Sequence, residues 1–418
     1  MVLTKEQNER LTQTSAGTPA GELLRRYWHP IAVAAELTDE QPTRFVRILG
    51  EDLVLFKDKS GNVGLIQDHC AHRGASLLYG RVEERGIACA YHGWLYDTAG
   101  SCLECPAEPA GSMFHLTVRM AAYPVQKYAG LYWAYLGPAP APELTKFDVL
   151  SRTDGRRRIT VYPNLDCNWF AAAENAVDPW HLQILHQDQP RSTKRPANTT
   201  RGYVEDIEAV DFYLTSYGIM KKRVYKGGKV EEHPMIFPTH LRTGSLWLRT
   251  PIDDTHTLQW TVSFIRSEDG STTDPADEEP EVVYLQPVKD PPNAVHPFAR
   301  FNFYAPWGQI LTQDMVMWET QGPISTRTDE RLATSDAGIV MLRDLMFKEI
   351  AKVERGEDPM GVIRDPAQAF IDTNLSNERG RLSGIVTETV DWRAPGMETA
   401  TADQLASTGY NGPQTPRS

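Results

Sequence analysis

Apolar and polar positions change period along this chain, and the changes divide it. Over residues 5–28 the spacing is helical, with Leu11, Leu23, Leu24, Tyr27 and Trp28 supplying apolar contacts around a break at Gly17-Thr18-Pro19. From Arg44 the apolar runs shorten to residues 45–49, 53–56 and 63–66. Between them stand Gly50-Glu51-Asp52 and Lys59-Ser60-Gly61-Asn62, which are turn chemistry. A small antiparallel β unit is predicted. It runs through Ile87-Ala88-Cys89 and Trp94-Leu95-Tyr96 to about Leu136, and the Pro-rich stretch 137–142 closes it.

A second region follows. Arg158-Ile159-Thr160-Val161-Tyr162 reads as a strand, and residues 169–186 as a helix with a break near Pro179, a residue suited to opening a helix. From 202 to 266 the pattern is β again, as in Leu258-Gln259-Trp260-Thr261-Val262-Ser263-Phe264. Residues 267–280 are acidic and polar and predict an exposed loop. Helix returns near 311–320 and over 329–356, where Leu332, Ile339, Val340, Leu342 and Leu345 form an apolar side. The last twenty residues, rich in Thr, Gly and Pro, predict a flexible tail. The fold class is α+β: a β-rich domain over 43–155, then a domain over 156–398 with a large antiparallel sheet and C-terminal helices. A helical segment at 1–42 is expected to pack on the second domain, and 399–418 to be the tail.

Composition excludes some functions. With 418 residues, 41% hydrophobic and 23% charged, this is an ordinary globular chain. A net charge of -12 argues against nucleic acid as a partner and leaves room for a basic redox partner. No run of about 18 apolar residues occurs, so no membrane span is expected. The start, Met-Val-Leu-Thr-Lys-Glu, lacks the apolar core of a signal peptide, and a cytoplasmic location is expected. Five Cys in this length do not make a disulfide scaffold and are expected to be reduced.

Two stretches carry chemistry. The first is Cys70-Ala71-His72-Arg73-Gly74 and, with sixteen residues between His72 and Cys89, Cys89-Ala90-Tyr91-His92-Gly93-Trp94. Each loop offers one thiolate and one imidazole. That is the ligand set of a Rieske [2Fe–2S] centre, where one iron takes two Cys and the other two His. Neutral His ligands lower the cluster's negative charge and raise its potential above that of an all-Cys ferredoxin. Cys₂His₂ is also a zinc set, but zinc fingers keep their Cys together and their His together.

The second stretch is Glu174-Asn175-Ala176-Val177-Asp178-Pro179-Trp180-His181-Leu182-Gln183-Ile184-Leu185-His186. Two His and a carboxylate on one side of a metal form the facial triad of non-haem iron oxygenases. Residues five apart on a helix are turned from one another by roughly 140° at 3.6 residues per turn. His181 and His186 can therefore grip one ion only if the helix ends or loosens between them.

These motifs resemble those of the Rieske non-haem iron oxygenases, and the resemblance covers most of the chain. It implies that Cys70, His72, Cys89 and His92 hold the cluster, and that His181 and His186 bind a mononuclear iron within a helix-grip-type catalytic domain. The family's Asn/Glu position falls on Glu174 or Asn175, and its later carboxylate ligand on Asp314, with Glu319 as competitor. It also implies that Asp178 bridges electron transfer between subunits of a head-to-tail homotrimer, single or stacked. In that trimer Asp178 would link His181 to the partner subunit's His92. Its other reading is a helix N-cap ahead of Pro179.

The start, from Glu6-Gln7-Asn8-Glu9-Arg10-Leu11 to Arg26-Tyr27-Trp28, resembles the phthalate dioxygenase type, which has a single kind of catalytic subunit. His233-Pro234-Met235-Ile236-Phe237-Pro238 and Pro251-Ile252-Asp253-Asp254-Thr255-His256-Thr257 resemble the dehydrodivanillate O-demethylase branch. The implied activity is O-demethylation of a methoxylated aromatic acid with dioxygen, and the rival is cis-dihydroxylation of an aromatic carboxylate. The chain has no Gly-x-Gly-x-x-Gly stretch, so electrons are expected from a separate ferredoxin and/or flavin reductase.

Other residues have plainer readings. Cys102-Leu103-Glu104-Cys105 is expected to be a reduced structural pair, with redox activity as the alternative. Cys167 reads as core, and Lys221-Lys222-Arg223 as a solvated strand surface. Arg201, Arg223, Arg242 and Arg249 are candidates for holding a substrate carboxylate.

Overall fold

In the computed structural model, residues 2–186, 207–285 and 310–373 are described. The chain opens with helix Lys5–Thr12, whose N-terminus is closed by reciprocal hydrogen bonds between Thr4 and Gln7. Helix Pro19–Leu24 follows, with Thr18 as its cap. Leu11, Leu23 and Leu24 pack with Trp169, Phe170, Leu342 and Leu345 from later helices. Helix does not continue to Trp28 as the spacing predicts. Strand Trp28–Val33 starts there and pairs antiparallel with Leu131–Tyr135. Pro30, which cannot donate within a helix, and the β-branched Ile31 and Val33 favour that outcome.

Residues 28–135 form three small sheets. One joins Trp28–Val33, Leu131–Tyr135 and Val125–Tyr128. A second orders Thr43–Ile48, Glu51–Lys57, Val63–Gln67 and Ala122–Tyr123. The third orders Arg81–Glu83, Gly86–Ala88, Leu95–Tyr96 and Cys102–Glu104. The first hairpin turns at Leu49-Gly50, one residue ahead of the predicted turn. Both residues have positive φ, 51° and 77°, as a two-residue hairpin loop requires. Their N–H groups donate to Pro251 and Ile252 carbonyls, tying this hairpin to the large sheet.

That sheet has eight strands, in the order Ile207–Thr215, Gly218–Tyr225, Val230–Ile236, His240–Arg242, Leu246–Pro251, Thr257–Arg266, Gly155–Leu165 and Glu281–Tyr284. All neighbours are antiparallel except the last pair, which is parallel. Helix Trp169–Ala176 leads out of it and ends before His181–Ile184, so the predicted break is present. Helices Ile310–Thr320 and Ala337–Glu354 complete the domain, the second starting later than predicted, after a 3₁₀ turn at Thr334–Asp336.

One expectation fails within 267–280. Glu278 is buried rather than exposed, with its carboxylate taking the Arg157 backbone N–H at 2.6 Å and pairing with the buried Arg157 guanidinium. The partner lies in a strand remote in sequence, so local polarity could not reveal it. The proposed tail at 399–418 lies outside the described residues.

Candidate metal centres

The two Cys–His loops are built alike. Gly74 N–H donates to Cys70 O at 2.8 Å and Gly93 N–H to Cys89 O at 2.9 Å; each Cys N–H reaches across its loop, to Ala75 O and Trp94 O, at 2.9 Å. Both glycines sit at left-handed φ, +73° and +74°. A side-chain residue there costs about 1–2 kcal/mol, which accounts for Gly at both positions.

Cys70 and Cys89 are buried, His72 is exposed and His92 half-buried. The two imidazoles lie 4.5 Å apart, and Trp94 stacks on His72 at 4.5 Å with planes 10° apart. Tyr96 Oη lies 3.2 Å from Cys70 Sγ. Burial pushes the Tyr96 hydroxyl well up, so it keeps its proton and is placed to donate to Cys70 Sγ once a metal holds that sulfur as a thiolate.

A tetrahedral zinc site brings its ligand atoms within about 3.3–3.8 Å of one another, given bonds of about 2.0–2.3 Å. Among the described residues, the one group of three ligands gathered for a single ion, within 4.8 Å of one another, is His181, His186 and Asp314. The two imidazoles lie together on the more exposed side of the loops, and the two thiols lie together on the buried side. The donor set fits a binuclear cluster better than zinc.

The group at His181, His186 and Asp314 joins three elements. The short helix ends at Ile184, which lets His186 turn toward the side that His181 faces. His186 Nε2 lies 3.1 Å from Asp314 Oδ1 and His181 Nε2 lies 3.7 Å from it. On the far edge of each ring another side chain faces Nδ1. Gln313 Oε1 is 2.7 Å from His186 Nδ1, and Asp178 Oδ2 is 3.3 Å from His181 Nδ1, close but off-line for a hydrogen bond. With the proton at Nδ1, the Nε2 lone pair of His186 faces a carboxylate oxygen. Two acceptors in contact need a proton or a metal ion between them, and with His181 Nε2 gathered beside them as a third donor atom these residues fit a metal ion. Asn175 Nδ2 is 3.3 Å from His181 Nε2 and 3.5 Å from Asp314 Oδ1.

The sequence alternatives separate spatially. Asp178 stands behind His181 rather than beside both Nε2 atoms, and its Oδ1 also accepts Trp180 N–H at 2.8 Å. Burial works to raise its pKa, but His181 and the Trp180 N–H outweigh it and hold the carboxyl below the usual range. Glu319 Oε1 takes Asp166 N–H at 3.0 Å, away from the histidines. Glu174 faces the core, where Arg327 and Arg343 grip it at 2.7 and 2.6 Å. Asn175 is thus the one of that pair beside the candidate metal site.

Lys221-Lys222-Arg223 is not a solvated surface. Alternation puts Ile219, Lys221 and Arg223 on the strand face turned toward the helices, and Lys221 and Arg223 are buried. Lys221 Nζ donates to Asp178 O at 3.4 Å. Arg223 pairs with Glu231 at 2.9 Å, and Arg242 with Asp148 at 3.0 Å. Arg249, also buried, donates to Gln259 Oε1 and Thr239 O, each at 3.3 Å, and lies over the Trp318 ring. Among the described residues neither Lys221 nor Arg249 forms a close ion pair, although Asp314 acts on both across space and Asp178 on Lys221, and Arg249 Nη2 has no hydrogen bond. Burial brings Lys221 down to about 7 and Arg249 to about 10. Arg201 lies outside the described residues.

Sequence reasoning missed Gln313, Tyr96 and the inward face of Lys221. Gln313 had a signal: it directly precedes the candidate ligand Asp314. Cys102 Sγ and Cys105 Sγ lie 3.6 Å apart, unbonded.

Comparison with known proteins places these sites in context. Residues 27–128 match the Rieske [2Fe-2S] domain, and residues 303–412 match the family described as LigXa C-terminal domain like. The 5,5'-dehydrodivanillate O-demethylase oxygenase subunit of Sphingobium sp. is 39% identical over 383 residues, covering 88% of this chain and 85% of that protein. Phenoxybenzoate dioxygenase subunit alpha of Ectopseudomonas oleovorans is 33% identical over 403 residues, covering 88% and 90%. Among solved structures, the NdmA QL mutant of Pseudomonas putida CBB5 with theobromine superposes with a TM-score of 0.56. It covers 80% of this chain and 93% of that one, and at 22% identity it bears on the fold alone.

Proposed function

This chain belongs to the Rieske non-haem iron oxygenases, and we propose that it is the oxygenase component that O-demethylates a methoxylated aromatic acid, a dehydrodivanillate-like compound. What carries this reading is the 39% identity to an O-demethylase oxygenase subunit along most of both chains. The buried basic groups Lys221 and Arg249, in no close ion pair among the described residues, suit a substrate that brings its own carboxylate.

Cys70, His72, Cys89 and His92 hold the [2Fe–2S] cluster in this reading, and His181, His186 and Asp314 hold the mononuclear iron. When bound, these groups supply electrons singly and activate dioxygen. The surrounding residues orient and exclude. Gln313 keeps the His186 proton on Nδ1, and the Asp178 carboxylate 3.3 Å from His181 Nδ1 favours a proton there by charge, leaving each Nε2 free to ligate. Asn175 donates to the Asp314 carboxylate and fixes its rotamer. Arg249 Nη2 and Lys221 orient the substrate carboxylate so that the methoxy carbon faces the metal.

Overall, an aryl methyl ether, dioxygen, two electrons and two protons give a phenol, formaldehyde and water. One oxygen atom enters the methoxy carbon, and the resulting hemiacetal falls apart.

Electrons come from a separate ferredoxin and/or flavin reductase, in the cytoplasm. In a head-to-tail homotrimer, the exposed side of Asp178 meets the partner subunit's His92 and carries electrons between the two metal groups. No helix among the described residues is long and apolar enough to cross a membrane.

The resemblance to a phenoxybenzoate dioxygenase at 33% identity favours a second reading, in which the same site adds both oxygen atoms to the ring. A product assay decides. Iron-loaded protein, a compatible reductase, NADH and oxygen are supplied with methoxylated biaryl and benzoic acids beside phthalates. Formaldehyde in step with a new phenol is the expected result. A cis-diol without formaldehyde would replace the demethylase reading with the dioxygenase one.

A further inference from the structure

Cys102 and Cys105 take no part in the oxygenase chemistry above, yet their placement is specific. Cys102 is buried in strand Cys102–Glu104, directly opposite Tyr96 in the neighbouring strand. Tyr96 is the phenol whose hydroxyl lies 3.2 Å from Cys70 Sγ. Cys105 is half-exposed, unlike the other four cysteines, which are buried. The residue after it, Pro106, rests on the second cluster loop: a Cβ at Gly93, next to His92, would lie 3.2 Å from the Pro106 ring. The two sulfurs are 3.6 Å apart. Closing them to an S–S bond of about 2.05 Å needs a shift of only about 1.5 Å.

We propose that Cys102 and Cys105 are a redox-active pair whose closure to a disulfide reports the surrounding thiol–disulfide balance to the adjacent [2Fe–2S] cluster. The oxidant is a low-molecular-weight disulfide. The Cys105 thiolate attacks it, expelling one thiolate and leaving a mixed disulfide on Cys105. Cys102 sulfur then attacks Cys105 Sγ and expels the second. Two protein thiols lose two protons and two electrons, and the small disulfide becomes two small thiols. The order follows from access: Cys105 meets solvent, whereas Cys102 is buried. Closure moves the two sulfurs together and so disturbs the contact of Pro106 with the His92 loop and the pairing of Cys102 with Tyr96. It therefore acts on one loop carrying a cluster imidazole and on the hydrogen bond to a cluster thiolate, and the potential is sensitive to such contacts.

The test equilibrates the cluster-loaded protein in a series of reduced-to-oxidised glutathione ratios. Alkylation and mass analysis of the peptide spanning both cysteines are read beside the cluster's midpoint potential. The expected result is joint loss of alkylation at Cys102 and Cys105, with the peptide two hydrogens lighter, and a midpoint that moves with the ratio. Cys105→Ser, which replaces a half-exposed thiol, should keep turnover and cluster spectrum under reducing conditions, form no link, and show a midpoint independent of the ratio. Both cysteines staying alkylatable at every ratio would overturn the proposal. So would a link that forms while wild type and Cys105→Ser keep the same midpoint.

Discussion

His186 and Gln313 are joined by a 2.7 Å hydrogen bond between Nδ1 and Oε1, while the residue after Gln313, Asp314, meets the other edge of the same imidazole at 3.1 Å. One helix therefore supplies both the candidate third ligand and the group that orients the second. Removing the orienting partner of a ligating histidine costs roughly 10–100-fold in metal affinity. Gln313→Leu is expected to weaken mononuclear iron binding on that scale, read by metal titration, with the [2Fe–2S] spectrum unchanged. Unaltered affinity would mean that Asp314 alone sets the ring.

Asp178 touches His181 and the Trp180 N–H but lies on the far side of the imidazole from Asp314. Asp178→Ala should leave both iron groups bound and nearly abolish turnover, with slow reoxidation of the reduced cluster in single-turnover measurements. Wild-type turnover in this variant would remove the bridge.

Arg249 is expected to act on substrate affinity. Hydrogen bonds to charged groups contribute about 1.5–3 kcal/mol, so Arg249→Met should raise KM for an aromatic acid by about 10–100-fold. Its effect on the corresponding neutral amide should be small. Equal losses for both substrates would point to misfolding or to a purely structural arginine.

Glu174 holds two buried arginines together, linking the helix before the metal site to the helix Ala337–Glu354. Breaking a buried charge pair on one side costs about 3–5 kcal/mol. Glu174→Gln should lower the denaturant midpoint accordingly, and a loss below about 1 kcal/mol, as for exposed pairs, would contradict the burial argument.

His240 is buried and neutral. Burial, then the charges of His29 and Arg249, bring its pKa from 6.5 to about 3. The unfolded chain takes up this proton near pH 6.5 and the folded chain does not. Its contribution is therefore fully present above pH 6.5 and falls as pH drops toward 3, by about 1.4 kcal/mol per unit. His240→Gln should flatten the loss of stability between pH 6.5 and 5, measured by urea denaturation. Parallel wild-type and variant curves would contradict it.

The build of the two Cys–His loops was legible because it is local: the Cys and His, the turn glycines and the stacking Trp94 lie within a few residues of each other in each loop. The break ahead of the two histidines was legible from Pro179, and their five-residue spacing called for the helix to end before His186. Long-range pairings were not. Nothing near Glu278 announces Arg157, and nothing near Trp28 announces the strand Leu131–Tyr135 that takes it out of a helix. Lys221 and Arg223 alternate with Lys222, so the pattern shows two faces but not which one the helices cover.

The account rests on two separate iron groups held by the residues named. The most direct measurement is iron and acid-labile sulfide content, with electron paramagnetic resonance, of Cys89→Ala and His186→Ala beside wild type. Cys89→Ala should lose sulfide and the Rieske signal while keeping mononuclear iron, and His186→Ala should do the reverse. Loss of both groups in each folded variant, or retention of both with normal turnover, would contradict the two-site account.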